Sequence, residues 1–233
     1  MSHPALLPRL APATLLALGP LLVSCAMNPN SQDGLFMRGL FAYLTGENER
    51  AVTVADKLIQ LDPLSPLAAR LRAEALAWGG RNAEALRADS IARRLDSTVV
   101  IWEVSNGIAL LEMGRLAEAE TAFKQFETNF GQPSVGLALT YGRMGKRDKA
   151  LEVIHALEAR ERRQWVDPNF IAIAYAGIGD VDHAMQWLET SFRKKTFSLR
   201  AFVGWDMPWL RGVRADPRFV DLKRRVLATT LAR

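Results

Sequence analysis

LTGENERA at residues 44–51 contains a glycine and, five positions later, an alanine, and this spacing returns four times along the chain. The other copies are WGGRNAEA (78–85), EMGRLAEA (112–119), RMGKRDKA (143–150) and GIGDVDHA (177–184). Successive glycines are separated by 34, 34, 31 and 34 residues. A glycine after a helix takes the left-handed conformation at little cost and ends that helix. A small alanine in the following helix lets the two helices approach closely. The pattern therefore predicts five antiparallel helix pairs.

The fixed spacing resembles the tetratricopeptide repeat (TPR), in which a unit of 34 residues forms two helices, A and B. The resemblance implies an all-α fold: a right-handed TPR superhelical solenoid of antiparallel helix pairs, with five repeats over residues 33–197. The 31-residue interval predicts a shortened junction around NFGQPS (129–134). Repeat two departs most from the pattern, because Asp89 occupies a position that is usually large and apolar. Small residues recur in helix A, at Gly39, Ala73, Gly107, Ala138 and Ala172.

Residues 198–233 are expected to form a C-terminal helical cap, because a solenoid needs an element that covers its last apolar face. Asp216 followed by Pro217 is typical of a helix start. This region resembles the ends of TPR regions attached to bacterial transcriptional regulators, adenylate cyclases or serine/threonine kinases. The predicted apolar residues of the cap are Trp205, Trp209, Phe219, Leu222 and Val226.

The N-terminal segment predicts export and lipid attachment. Residues 10–23 are a run of 14 uncharged residues. That length matches a signal-peptide core and is shorter than the roughly 20 residues needed to span a bilayer. LVSC at residues 22–25 resembles the lipobox of bacterial lipoproteins. The resemblance implies a lipoprotein signal peptide over residues 1–24, cleavage before Cys25, and acylation of Cys25.

The same segment predicts where the protein is located. With Cys25 acylated, residues 25–32 form a flexible tether, and Ala26 implies the outer membrane, facing the periplasm, in a Gram-negative cell. The alternative is a cytoplasmic protein with a buried apolar N-terminal helix, although Pro12 and Pro20 interrupt such a helix. In that case the chain would be a TPR sensor or regulatory module of a system with a transcriptional regulator or a kinase.

TPR arrays usually bind peptides in a groove lined by their A helices, and the resemblance places a set of side chains there. A Lys and Asn pair clamps the terminal carboxylate in chaperone-binding TPR proteins, and this pair is missing here. Arg70 and Arg143 are available for acidic groups instead. For each position the alternative is packing between helices. The predicted groove residues are Tyr43, Arg70, Glu74, Trp78, Val104, Ile108, Val135, Leu139, Arg143 and Asn169.

No sequence pattern predicts catalysis or a cofactor. P-loop, GxGxxG, HExxH and GxSxG motifs are missing, and the single cysteine rules out a disulfide framework. Asp180, Asp182 and His183 could suggest a metal site, but acids at the start of a helix also cap it. We expect a non-catalytic scaffold that binds a protein or peptide partner without a metal or cofactor.

Positive charge is concentrated near the C-terminus. Residues 193–233 have 11 basic and 3 acidic side chains, whereas the whole chain has a net charge of +5. RKK at 193–195 and KRR at 223–225 could contact nucleic-acid phosphates or anionic lipid headgroups. A capping helix with a solvated basic face explains the same charges more simply. We therefore do not expect nucleic-acid binding.

Overall fold

The described part of the chain is built from helices. The computed structural model describes residues 31–96, 102–196, 198–204 and 210–231. These residues form thirteen helices and no strand. The helices are α1 (Gln32–Leu44), α2 (Asn48–Leu61), α3 (Pro66–Trp78), α4 (Asn82–Leu95), α5 (Trp102–Glu112), α6 (Leu116–Phe130), α7 (Val135–Arg143), α8 (Arg147–Glu161), α9 (Pro168–Gly177), α10 (Val181–Arg193), α11 (Leu199–Gly204), α12 (Arg211–Arg214) and α13 (Pro217–Leu231).

The glycine and alanine of each repeat occupy the predicted positions. All five glycines lie in the turn between helix A and helix B with φ between 72° and 83°, a conformation that other residues adopt only with strain. All five alanines are buried at the start of helix B. The prediction of an all-α, TPR-like fold of antiparallel helix pairs is confirmed. The glycines are Gly46, Gly80, Gly114, Gly145 and Gly179, and the alanines are Ala51, Ala85, Ala119, Ala150 and Ala184.

The helices fall into two compact units that divide between Met113 and Gly114, inside the third repeat. In unit 1, α1 packs against α2 and α3, and α3 packs against α4 and α5. In unit 2, α7 packs against α6, α8 and α9, and α9 packs against α10. The A helices of neighbouring repeats are therefore in contact within each unit, which is the packing that the TPR resemblance implies.

The 31-residue interval does not arise from a shortened junction, so that prediction is wrong. Four residues separate α6 from α7, and four also separate α2 from α3. The missing length lies in helix A, because α7 has 9 residues and α3 has 13. Gly131 ends α6 with φ 61°, and the Glu127 carboxylate accepts a hydrogen bond of 2.8 Å from the backbone N–H of Ser134. The junction is thus fixed by its own hydrogen bonds.

Asp89, the atypical residue of repeat two, joins two helices of unit 1. Its side chain is buried on α4 and accepts hydrogen bonds from Arg93 Nε at 2.8 Å and from Asn106 Nδ2 at 3.0 Å. A buried carboxylate is tolerated when it is paired and hydrogen-bonded. A polar contact between α4 and α5 therefore replaces the usual apolar one.

The C-terminal helices cover α10. Helices α11, α12 and α13 each contact α10, and the face of α13 made by Phe219, Leu222 and Val226 is buried. The Asp216 carboxylate accepts a hydrogen bond of 2.8 Å from the backbone N–H of Arg218 at the start of α13. These contacts confirm the predicted helix and its apolar face.

Some predictions concern parts of the chain outside the described residues. Trp205 and Trp209 belong to this group, as do Cys25 and the predicted signal peptide. The boundaries predicted for the signal peptide, the tether, the repeats and the cap therefore stay predictions. Among the described helices, none is both long and apolar enough to cross a membrane.

Glycines allow very close helix packing in unit 2. A Cβ atom at Gly142 of α7 would lie 2.5 Å from the backbone oxygen of Gly177 in α9. A Cβ atom at Gly136 of α7 would lie 2.0 Å from the ring of Phe123 in α6. Both distances are too short for any side chain, so α7 needs glycine on both of these contact surfaces.

Candidate functional site

The predicted groove residues lie in two groups, one in each unit. In unit 1 the A helices α1, α3 and α5 leave four of the predicted side chains half-buried, and in unit 2 helix α7 leaves two with exposed surface. The other four are buried. The partly accessible residues are Tyr43, Arg70, Trp78, Val104, Val135 and Arg143, and the buried ones are Glu74, Ile108, Leu139 and Asn169.

Ile108 and Leu139 have little surface to offer a ligand. They are 3% and 2% exposed, and Leu139 fills the space above Gly177, where a Cβ atom would lie 2.3 Å from Leu139 Cδ2. Packing between helices, the alternative stated for every groove position, accounts for the placement of these two side chains.

Asn169 is part of a buried polar cluster at the start of α9. Its amide nitrogen lies 3.0 Å from Asp167 Oδ1, 3.2 Å from Thr196 Oγ1 and 2.7 Å from Ser198 Oγ, and the Ser198 hydroxyl also donates to Asp167. Burial raises the pKa of Asp167, while the hydrogen bonds from Ser198 and Asn169 oppose that rise. The cluster ties the fifth repeat to the segment that follows α10.

The main polar feature of the unit 1 face is the Arg70 cluster, which we define as Tyr43, Arg70 and Glu74. Burial raises the pKa of Glu74, and the positive charge of Arg70 acts in the opposite direction. Burial and the negative charge of Glu74 together raise the pKa of Tyr43. Tyr43 also packs against the apolar core formed by α1, α2 and α3. The ionisable groups of the Arg70 cluster therefore lie beside the apolar core of these three helices.

Arg70 and Glu74 are close, but they do not form a hydrogen bond through the nearest atoms. Arg70 Nε and Glu74 Oε1 are 3.9 Å apart, which is beyond hydrogen-bond distance. Arg70 Nε is buried and has no hydrogen-bond partner among the described residues. Since this atom has no exposed surface, a ligand can contact Arg70 only through the 17% of its side chain that is exposed.

The raised pKa of Glu74 predicts how stability depends on pH. Since the folded pKa lies above the unfolded value of about 4.3, stabilisation is full below that value and is lost as the pH rises through the folded pKa. The variant Glu74→Gln should escape this loss and be more stable than the wild type at neutral pH. Each unit by which the pKa is raised corresponds to about 1.4 kcal/mol. Thermal unfolding followed by circular dichroism across this pH range measures the difference.

Glu84→Gln is the matched control in the same unit. A hydrogen bond from Arg81 lowers the pKa of this exposed carboxyl, so the stabilisation from Glu84 is present above the unfolded pKa and is lost as the pH falls. The two variants should therefore have opposite pH trends. A constant difference between Glu74→Gln and the wild type at every pH would show that Glu74 does not titrate with a raised pKa.

A cleft of about 890 Å³ lies in unit 2 between α8, α10 and α13. Glu158 at its edge accepts hydrogen bonds from the Tyr175 hydroxyl at 2.8 Å and from Trp187 Nε1 at 3.3 Å. The ring of Tyr175 stacks on His183 with 4.9 Å between ring centroids. The sequence did not predict this cleft, because the expected cap places α13 over the last repeat but does not show the space that remains between α13, α10 and α8.

Asp180 and Asp182 have structural partners at the start of α10. Asp180 caps the helix by accepting a hydrogen bond of 3.2 Å from the backbone N–H of His183, and Asp182 pairs with Arg218 of α13 at 2.8 Å. Burial acts to raise the pKa of Asp180, but hydrogen bonds from His183 outweigh burial and lower it. Within the described ranges, no group of three or more His, Cys, Asp or Glu side chains could hold a metal ion.

Four basic residues of the tail form ion pairs with acids, and these are Lys194, Arg218, Arg224 and Arg225. Lys194 pairs with Glu161, and Arg225 pairs with Glu189 of α10. The Arg225 guanidinium also lies 4.7 Å from the centre of the Phe192 ring. The two contacts of Arg225 attach α13 to α10, so packing of the cap uses part of the positive charge of the tail.

Comparison with known proteins finds solved structures that are similar to this chain. No protein-family model and no curated protein matches this chain. One similar solved structure is a tetratricopeptide repeat protein from Parabacteroides merdae, with 16% identity and a TM-score of 0.59 over 81% of this chain and 78% of that chain. Another is a chain of the Naa15/Naa10 complex bound to HypK-THB, with 18% identity and a TM-score of 0.45 over 86% of this chain and 35% of that chain. The first likeness shows a shared TPR-like fold.

Proposed function

We propose that this protein is a non-catalytic interaction scaffold, anchored to the cell envelope by a lipid on Cys25, that binds a peptide segment carrying an acidic group. The peptide lies along the A helices α1, α3 and α5 of unit 1. The observation that supports this site is the half-buried positive charge of Arg70, whose side chain is 17% exposed and whose Nε lies 3.9 Å from Glu74 Oε1, beyond hydrogen-bond distance. A ligand carboxylate pairs with the exposed part of this side chain.

The surroundings of Arg70 suit such a ligand. Tyr43 and Trp78 lie half-buried on α1 and α3, and aromatic side chains and arginine are the residues most often found at energetic hot spots. Val104 on α5 adds a half-buried aliphatic side chain. An apolar strip beside a cation fits an amphipathic helix or an extended segment with one acid.

The lipid anchor rests on the resemblance of residues 22–25 to a lipobox. Mass spectrometry of the protein purified from membranes tests it, because acylation and cleavage before Cys25 change the mass in a defined way. A full-length, unmodified chain in the soluble fraction would instead support the cytoplasmic regulatory module.

Replacing Arg70 with methionine should abolish recognition of the acidic group. The full chain is first used to select binders from a displayed peptide library, and the selected peptides are then synthesised with each acid or its amide. A hydrogen bond to a charged group contributes about 1.5–3 kcal/mol, so Arg70→Met should weaken binding of the acidic peptide at least about tenfold. Isothermal titration calorimetry measures both affinities.

Arg50→Met is the matched control, because Arg50 is an exposed arginine of unit 1 whose partner is Glu47 on the surface. This variant should bind the acidic peptide as the wild type does, and the amide peptide should bind Arg70→Met and the wild type equally. If the selected peptides contain no acid, or if Arg70→Met binds the acidic peptide with the affinity of the wild type, Arg70 is not part of the binding site.

A further inference from the structure

Three leucines in and directly beside the turn between α2 and α3 are exposed. Leu61, Leu64 and Leu67 are 57%, 75% and 50% exposed, and together we call them the leucine loop. Single exposed apolar residues are common on protein surfaces, whereas grouped ones mark an interaction surface. Their spacing of three residues around one turn concentrates them at one end of the first two repeats.

The leucine loop lies at the end of unit 1 where the chain enters α1. Helices α1 and α2 form an antiparallel pair, so the start of α1, the end of α2 and the start of α3 share one end of the repeats. Packing agrees with this topology, because Leu35 near the start of α1 shares a core cluster with Leu58 and Ala68. The described chain begins with Ser31 at this same end.

The backbone N–H groups of this turn already have hydrogen-bond partners within the chain. The N–H groups of Asp62, Leu64 and Ser65 donate to Leu58 O, Asp62 Oδ1 and Asp62 O, at 2.8, 3.0 and 3.2 Å. The remaining residue of the turn, at position 63, is proline, and so is residue 66 at the start of α3; proline has no N–H to satisfy. Insertion into lipid is unfavourable for unsatisfied backbone groups, and this turn has none among its N–H groups.

We propose that the leucine loop inserts into the interface of the lipid bilayer and seats the first repeat on the membrane. This proposal rests on the lipid anchor of the proposed function. Ser31 follows Cys25 by six positions, and that length of chain reaches at most about 22 Å when fully extended. An acylated Cys25 therefore holds this end of unit 1 beside the bilayer, where the exposed leucines contact acyl chains rather than water.

The experiment measures the depth of the loop in the membrane. Leu64→Cys protein is purified in its acylated form, labelled with an environment-sensitive fluorophore, and reconstituted into vesicles of phosphatidylethanolamine and phosphatidylglycerol. Acylation blocks the thiol of Cys25, the single native cysteine, so only the introduced cysteine is labelled. Lipids with brominated acyl chains should reduce the fluorescence roughly twofold or more, because interfacial apolar segments lie about 5–10 Å deep.

Phe41→Cys is the matched control. Phe41 is 55% exposed near the other end of α1, so its label should stay unquenched in the same vesicles. Adding Leu61→Ser and Leu67→Ser to the Leu64→Cys protein should remove most of the quenching without unfolding the chain, because all three side chains are exposed.

The possible outcomes separate the loop from the anchor. If acylated protein sediments with vesicles but its label at position 64 is unquenched, the leucine loop does not insert into the bilayer. The lipid anchor would be unaffected by that result. A blue shift that grows with protein density and is insensitive to brominated lipid would assign the loop to contact with another protein molecule, which also overturns the proposal. Protein without an acyl mass that stays in solution would overturn the anchor, and the membrane role of the loop with it.

Discussion

Replacing Gly142 with alanine is expected to lower the free energy of unfolding of unit 2 by about 3 kcal/mol, at the upper end of the range for overpacked interiors. The new Cβ atom would lie 2.5 Å from the backbone oxygen and 3.1 Å from the backbone carbon of Gly177. A backbone carbonyl cannot rotate away as a side chain can, so α7 and α9 must separate. The apolar contacts between the two helices, including the contact of Leu139 with Gly177, are then lost.

Thermal unfolding followed by circular dichroism measures this effect. A loss of this size should lower the melting temperature of the affected transition by roughly 10 °C in a domain of this length. Gly204→Ala is the matched control, because a Cβ atom there would have no atom of the described residues within 4 Å, and its melting temperature should change little. Equal melting temperatures for the two variants would mean that α7 and α9 are not in close contact at Gly142.

A second large effect is expected for Gly136→Ala, where the new Cβ atom would lie 2.0 Å from the ring of Phe123. Phe123 is among the largest fully buried side chains, so its ring has no empty space to enter. We expect a loss of about 2–3 kcal/mol in the free energy of unfolding. In contrast to Gly142, the obstacle is a side chain, and a smaller one should relieve it.

A double-mutant cycle tests that explanation. Phe123→Leu alone removes buried apolar contacts and should be destabilising, but Gly136→Ala should destabilise the Phe123→Leu background much less than the wild type. The coupling energy from urea unfolding should exceed about 1 kcal/mol, as is typical of residues in contact. Strictly additive effects of the two substitutions would place the ring away from Gly136.

The repeat pattern was predictable because its causes are local. The glycine ends a helix, and the alanine five residues later fits beside the resulting turn. Both residues that determine this turn therefore lie within one short stretch of sequence. Gly46 and Ala51 are one example, and Asp216 before Pro217 is another local pattern that the structure confirms.

The burial of Asn169 could not be predicted in this way. Its partners Thr196 and Ser198 follow it by 27 and 29 residues, and no pattern indicates that their segment returns to the start of α9. The glycines at 136 and 142 have the same difficulty, because the need for them depends on which atoms face them across a helix crossing. The position of α13, and therefore the cleft beside Glu158, depends on a packing arrangement of the same long-range kind.

The polar cluster around Asn169 limits how this protein could be recombined with other repeat proteins. Asp167, Asn169 and Thr196 come from the repeats, whereas Ser198 belongs to the cap, and Arg218 of the cap adds an ion pair to Asp182. A graft that exchanged the cap alone, by splicing at residue 197, would remove the Ser198 hydroxyl that bonds to both Asn169 and Asp167. Splicing ahead of Asp167 keeps all of these contacts. The fifth repeat and the cap should therefore be transferred together when longer or shorter repeat arrays are built.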